Sequence, residues 1–356
     1  MVFERYLRRE LRAAILLVLV AFLGLFSFFD LVHELEDLGR GGYQLQHAAL
    51  FVALKLPGRT YELMPIVVLI GALYAFTMLA RHSEITVLRA SGLSTVQLLG
   101  LLGRHGLWYV LITFMVGEFV APPAEDAARL LKLRYTAEMV AQEFRSGVWM
   151  KDGLRFINVR SVRPDTSLAG VRIFEFDGER RLRTIQEAKT ASFVPPDHWR
   201  LEDVVETEFT DTATRVHKRD EVAWHTELTP GILSVGLAVP DRMSLYSLYV
   251  FVRHLEENHQ KTGRYVIALW KKVVYPLAVF VMLGLALPFA YMHDRMGAVS
   301  VKVFVGIMIG ILFHMLNGLF SNLGVINSWP PPVAALTPSL LFLATAWGMM
   351  RWVERR

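Results

Sequence analysis

The chain has 356 residues, of which 53% are hydrophobic, 20% charged and none cysteine, and its net charge is +5 at pH 7. The apolar residues fall in runs of about 17–20, long enough to cross a bilayer core of roughly 30 Å, while most charges gather in one central block. This excludes a simple soluble globule, a disordered chain, a collagen-like repeat and a pure membrane bundle, and the missing thiols exclude disulfides, thiolate nucleophiles and cysteine-based metal centres.

In chain order, six membrane spans are expected. The first covers residues 11–29; its basic start, Arg5 to Arg12, lacks a cleavage site, so it reads as a retained helix. Its outer end is acidic (Asp30, Glu34, Glu36, Asp37) and reads as a solvated extension of the helix. The second span covers 63–80, and the third covers 106–121, where Pro122-Pro123 is expected to stop it. The remaining spans cover 273–292, 303–320 and 333–350.

Orientation follows from lysine and arginine in the short loops. With the N-terminus inside, one side holds Arg5, Arg8, Arg9, Arg12, Arg81, Arg89, Arg104, Arg295, Lys302, Arg351, Arg355 and Arg356. The other side holds only Arg40, Lys55 and Arg59. Both termini are therefore expected in the cytoplasm and the central block outside. The basic excess is a topology signal, so no nucleic-acid partner is expected.

The central block changes texture. Residues 124–145 suit a helix. The segments 155–159, 171–176 and 199–209 are β-branched and aromatic, and Asp152-Gly153, Asp177-Gly178 and Pro195-Pro196-Asp197 mark turns between them. Short strands spaced this way imply an antiparallel sandwich or open barrel. Residues 245–259 form an amphipathic helix with Leu248, Val252 and Leu255 on one face. The expected division is 1–123 (spans one to three), 124–262 (an outside β domain with flanking helices) and 263–356 (spans four to six).

Catalytic signatures are missing. There is no phosphate-binding P-loop, Lys261-Thr262-Gly263 lacks an accompanying S-x-x-K, and His33-Glu34 lacks the second histidine of a zinc protease. No cofactor, metal or catalytic residue is expected. Polar residues at membrane depth need a partner or a cavity. His314 and Asn317 share one face of span five, with Ser321 a turn on, facing either a gate or a neighbouring helix. Gly306 and Gly310 form a G-x-x-x-G suited to close helix packing. Beyond span three, Arg129 and Lys132 share a face that suits either solvent or an anionic headgroup, with Arg134 and Arg40 nearby. The inner loop at about 82–92 reads as a short amphipathic helix: Ser83 is its cap, Glu84 its carboxylate, Ile85 and Leu88 its apolar face, Arg89 its base and Gly92 its stop. It suits either docking into another protein's groove or lying on the membrane surface. These features leave open a transport subunit and a scaffold with an outside binding domain; a membrane hydrolase lacks its constellation.

The loop Ser83-Glu84 … Arg89-Ala90-Ser91-Gly92, the segment Gly117-Glu118-Phe119-Val120-Ala121-Pro122, the stretch Gly147-Val148-Trp149-Met150-Lys151-Asp152-Gly153 and the run Gly263-Arg264-Tyr265 … Trp270-Lys271-Lys272 … Pro276-Leu277 together resemble the lipopolysaccharide export permease family. Within it the chain looks more like the LptG-type than the LptF-type subunit. The resemblance covers the whole chain and implies a six-helix (3 + 3) membrane domain of a Gram-negative inner-membrane ABC exporter, with an inserted periplasmic jellyroll-like domain. It also implies an LptF-type paralogue, two copies of an LptB-type ATPase, an LptC-type bitopic protein and an LptA-type periplasmic bridge as partners, and lipopolysaccharide as cargo. Glu84 matches the carboxylate of the family's ATPase-coupling helix, and Arg129 and Lys132 match positions facing the lipid's phosphates. The chain departs from the family at Asp30, Glu36 and Asp37, where relatives place lysines and where a carboxylate cannot pair with a phosphate.

Overall fold

A computed structural model describes residues 2–39, 42–84, 87, 95–143, 147–162, 167–179, 181–194, 198–210, 212–226, 240–258, 260–291 and 299–355. The apolar runs form helices because a backbone inside lipid must satisfy its own hydrogen bonds. They are α1 (Val2–Glu34), α2 (Leu45–Arg81), α3 (Thr95–Met115), α6 (Gly263–Val274) continuing into α7 (Ala278–Tyr291), α8 (Val299–Ile326) and α9 (Pro331–Glu354). Between α3 and α6 lie α4 (Ala121–Glu143) and α5 (Leu245–Glu257). Among the described residues, six helical stretches are long and apolar enough to cross a membrane.

The packing separates inner from outer helices. The most apolar stretch of α2 is 78% buried and that of α6–α7 is 72%, against 6% for α1. Val67, Val68, Leu69, Ala72, Leu73 and Phe76 of α2 sit at the centre of the core with Val279, Met282 and Ala286 of α7. The side of α1 away from α2 is therefore bare: Leu16, Leu17, Val20, Phe28 and Phe29 are all exposed. Gly306 and Gly310 of α8 face α2 of the same chain. A Cβ on Gly310 would lie 2.7 Å from Ile66, and one on Gly306 would overlap Leu73.

Pro122 and Pro123 do not stop the third span. A π turn at Val116–Val120 follows α3, and α4 restarts at Ala121. The helix therefore runs on through both prolines, and the π turn just before them is where its hydrogen-bond ladder is interrupted.

The inserted β domain has six strands: β1 (Val148–Asp152), β2 (Arg155–Val162), β3 (Leu168–Phe176), β4 (Leu182–Val194), β5 (His198–Phe209) and β6 (Thr214–His225). They pair antiparallel in sequential order within one sheet. The four ladders from β2 to β6 all skip one row, at Arg160, Gly170, Lys189, Asp203 and Asp220. Gly170 (φ +64°) and Asp203 (φ +53°) hold left-handed backbone in that row. Side chains alternate faces with a period of two, yet the buried positions jump by three there: Leu168 to Val171, Ala188 to Ala191, Leu201 to Val204. The strands turn together along this line, and both leaves contribute to one core containing Ile157, Val171, Trp199, Leu201 and Trp224. The inserted β domain is thus a single antiparallel six-strand meander folded along this line.

Candidate functional site

At the C-terminal end of α1, Asp30, Glu34 and Asp37 are not a solvated extension; Glu36 alone of the four is exposed. Asp30 receives a two-pronged hydrogen bond from Arg59 of α2, Nη2 to Oδ1 at 2.8 Å and Nε to Oδ2 at 3.1 Å, with Lys55 at 3.7 Å. Arg59 also donates to Glu62 at 3.3 Å. One turn beyond Asp30, Glu34 is only 2% exposed. Its oxygens lie 2.9 and 3.1 Å from Lys132 Nζ of α4, and the hydroxyl of buried Tyr43 donates to it at 3.1 Å. Lys132 also reaches Asp37 at 3.1 Å. Burial, and then the neighbouring Glu34 carboxylate, push the Tyr43 phenol well above its usual range. Phe51 lies beneath both ammonium groups, 4.9 Å from Lys55 and 5.1 Å from Lys132. The His47 ring, which closes the α2 cap by accepting the Gln44 N–H at 3.0 Å, stacks on Tyr135 at 4.3 Å.

The arrangement is a layer of alternating charge across α1, α2 and α4. Asp30 and Glu34 on α1, and Asp37 just beyond it, are balanced from the other two helices, while Glu36 is exposed. Arg129, one turn before Lys132, pairs with Asp126 at 2.8 Å. Arg40 and the Arg134 side chain lie outside the described residues. Sequence reasoning missed Arg59 and Lys55 as partners, and the signal was available: they stand four apart and so share one face of a helix.

His314 and Asn317 open onto a second site. They line a cavity of about 180 Å³ with Tyr61, Glu62, Lys271, Lys272 and Tyr275. Asn317 also donates to the Phe313 carbonyl at 3.2 Å. Lys271 pairs with Asp241 at 2.9 Å, and Lys272 donates to the Met243 carbonyl. Among the described residues, no three histidines, aspartates or glutamates group to hold a metal ion.

At the other end of α2 a loop begins at Ser83, whose φ of +60° turns the chain out of the helix. The Ser83 carbonyl accepts the Val87 N–H at 3.1 Å, one helical turn. The Tyr6 hydroxyl of α1 donates to Glu84 at 3.1 Å. Ile85, Leu88 and Arg89 lie outside the described residues.

Comparison with known proteins bears on this architecture as a whole. The family model for the lipopolysaccharide export system permease LptF/LptG matches residues 5–352. The Escherichia coli (strain K12) lipopolysaccharide export system permease protein LptG is 33% identical over 356 residues, covering 98% of each chain. The Haemophilus influenzae protein of the same name is 29% identical over 348 residues, covering 98% of this chain and 97% of its own. With six apolar helices, a β domain inserted between the third and fourth, and a match along nearly its whole length, this chain belongs to the lipopolysaccharide export system permease LptF/LptG family.

Proposed function

We propose that this chain is an LptG-type permease subunit that takes lipopolysaccharide from the outer leaflet of the inner membrane toward a periplasmic bridge. The supporting observation is its likeness, over 98% of its length, to proteins named LptG. The chain carries no ATPase motif of its own, so the work comes from a separate cytoplasmic ATPase, an LptB-type dimer, docked at the loop around Glu84. The bare side of α1 suits an LptF-type paralogue closing a shared cavity, with an LptC-type helix beside it. The termini are cytoplasmic, and the β domain is periplasmic, facing an LptA-type bridge.

The ionic layer gives the substrate reading its chemistry. Lys55, Arg59 and Lys132 already hold carboxylates, and a lipid phosphate offers the same ligand with more charge. Phosphates of the headgroup exchange for Asp30 and Glu34, and the displaced carboxylates are the groups that later expel them.

The test is reconstitution. The full chain, its paralogue and the ATPase are placed in proteoliposomes with lipopolysaccharide, and ATP-dependent transfer to a soluble periplasmic acceptor is followed by photo-crosslinking. Transfer that needs all three proteins supports the reading; transfer without this chain rejects it.

A further inference from the structure

The Gly117-Glu118 pair of the third span occupies the π turn between α3 and α4. Glu118 Oε2 accepts the backbone N–H of Leu245 at 2.8 Å, across 127 residues of chain. Leu245 is the first residue of α5, where a helix leaves N–H groups without partners. The side chain of the α5 cap, Ser244, accepts the Ser247 N–H at 3.0 Å, and its carbonyl accepts that of Leu248 at 2.9 Å. Glu118 thus supplies an imported cap, and its charge meets the positive end of the helix dipole.

Three more contacts hold the same short stretch. Arg242 pairs with Glu125 at 3.2 Å, Lys271 with Asp241 at 2.9 Å, and Lys272 donates to the Met243 carbonyl. Residues 241–245 are the chain's return from the β domain. They are gripped on one side by Glu118 and Glu125 of the α3–α4 arm and on the other by Lys271 and Lys272 of α6. The outgoing connection, α4, is itself the continuation of the π turn. Both stalks of the β domain therefore meet at one point. At that point Gly117 lies flat against the ring of Tyr61, where a Cβ would overlap it, so the turn rests on the central helix α2. π turns interrupt the regular helical ladder and recur at functional positions.

We propose that Glu118 is a positioning residue for export: its hydrogen bond to the Leu245 N–H makes the returning stalk of the β domain move with the third span. Displacement of α3 during the ATPase cycle then turns the β domain rather than merely bending its outgoing stalk. The inference rests on the export reading above.

The test uses the reconstituted full complex with lipopolysaccharide and the soluble acceptor. Glu118→Leu removes the acceptor oxygen; a charge-assisted hydrogen bond of this kind is worth enough to lower transfer by at least about tenfold. ATP hydrolysis by the same complex stays within about twofold, because the lost contact is remote from the ATPase. Glu118→Gln keeps an oxygen in reach of the N–H and retains most of the transfer. Because the chain has no cysteine, Glu118→Cys with Leu245→Cys can be joined selectively by a short bismaleimide, and joining restores transfer. Full transfer by Glu118→Leu overturns the inference, as does a joined pair, verified by mass spectrometry, that transfers no better than the unjoined one. If Glu118→Leu fails to assemble, the glutamine and joined variants decide by the same criteria. A parent complex that transfers nothing rejects the export reading, and this inference with it.

Discussion

Lys132 and Glu34, 98 residues apart in sequence, meet at 2.9 Å in a place where the carboxylate has almost no access to water. A buried carboxylate keeps its charge only while partners replace its hydration, and here those partners are one ammonium and the Tyr43 hydroxyl. Lys132→Met should therefore lower the stability of the purified chain by roughly 1–3 kcal/mol. Adding Glu34→Gln should recover most of that loss, since no charge is then stranded. Thermal unfolding in detergent reads both; simple additivity of the two losses would reject the pairing as an energetic unit.

Asp30 occupies the guanidinium fork of Arg59. Removing that internal anion leaves the fork and Lys55 open to an external one. Asp30→Asn should tighten retention of lipopolysaccharide by roughly threefold or more, because two-pronged guanidinium bonds to phosphate are among the stronger hydrogen bonds. The gain should vanish with a dephosphorylated lipid A. Equal tightening for both lipids would assign the effect to something other than phosphate recognition.

Gly310 leaves space for Ile66, whereas Gly348 on α9 has nothing within 4 Å of where its Cβ would be. Gly310→Leu should cost about 1–3 kcal/mol through overpacking of α8 on α2. Gly348→Leu should leave the melting temperature nearly unchanged. A matched loss at both positions would mean that helix backbone, not packing, sets the requirement.

The Tyr6 hydroxyl engages the same Glu84 carboxylate that is proposed to enter the ATPase. Glu84→Ala should reduce the amount of ATPase co-purifying with the complex. Tyr6→Phe should move it slightly the other way, by about twofold, since one competing hydrogen bond is lost. A decrease on Tyr6→Phe would show that the hydroxyl orients Glu84 for docking instead of competing for it.

The sequence made the helices legible wherever lipid is their solvent, because uncharged runs of this length have few other fates. It hid the first part of α2. Residues 45–62 carry Lys55, Pro57, Arg59 and Glu62 and have no hydropathy signature, but the helix is closed there by the Gln44/His47 cap and fastened to α1 by Asp30. The strands β2, β3 and β5 were legible from their β-branched and aromatic residues. Strands β4 and β6 were not, because Thr184, Gln186, Glu187 and Lys189 in one, and the exposed stretch 214–221 in the other, present little apolar face of their own. The ionic layer was unreadable for a different reason. Charge pairing over 29 and 98 residues leaves no local periodicity, so Asp30 and Glu34 looked like solvated acids until α2 and α4 were placed beside them.

The length of α2 also bears on the energetics of export. At about 1.5 Å per residue, its 37 residues extend some 55 Å, against a hydrocarbon layer of roughly 30 Å. The helix is longer than that layer by some 25 Å, and Lys55 and Arg59 lie within its N-terminal half. A phosphorylated sugar captured there would stay at headgroup depth throughout and keep its hydration. The free energy that ATP must supply would then be set by lifting the fatty tails, with almost none consumed in dragging charge through oil.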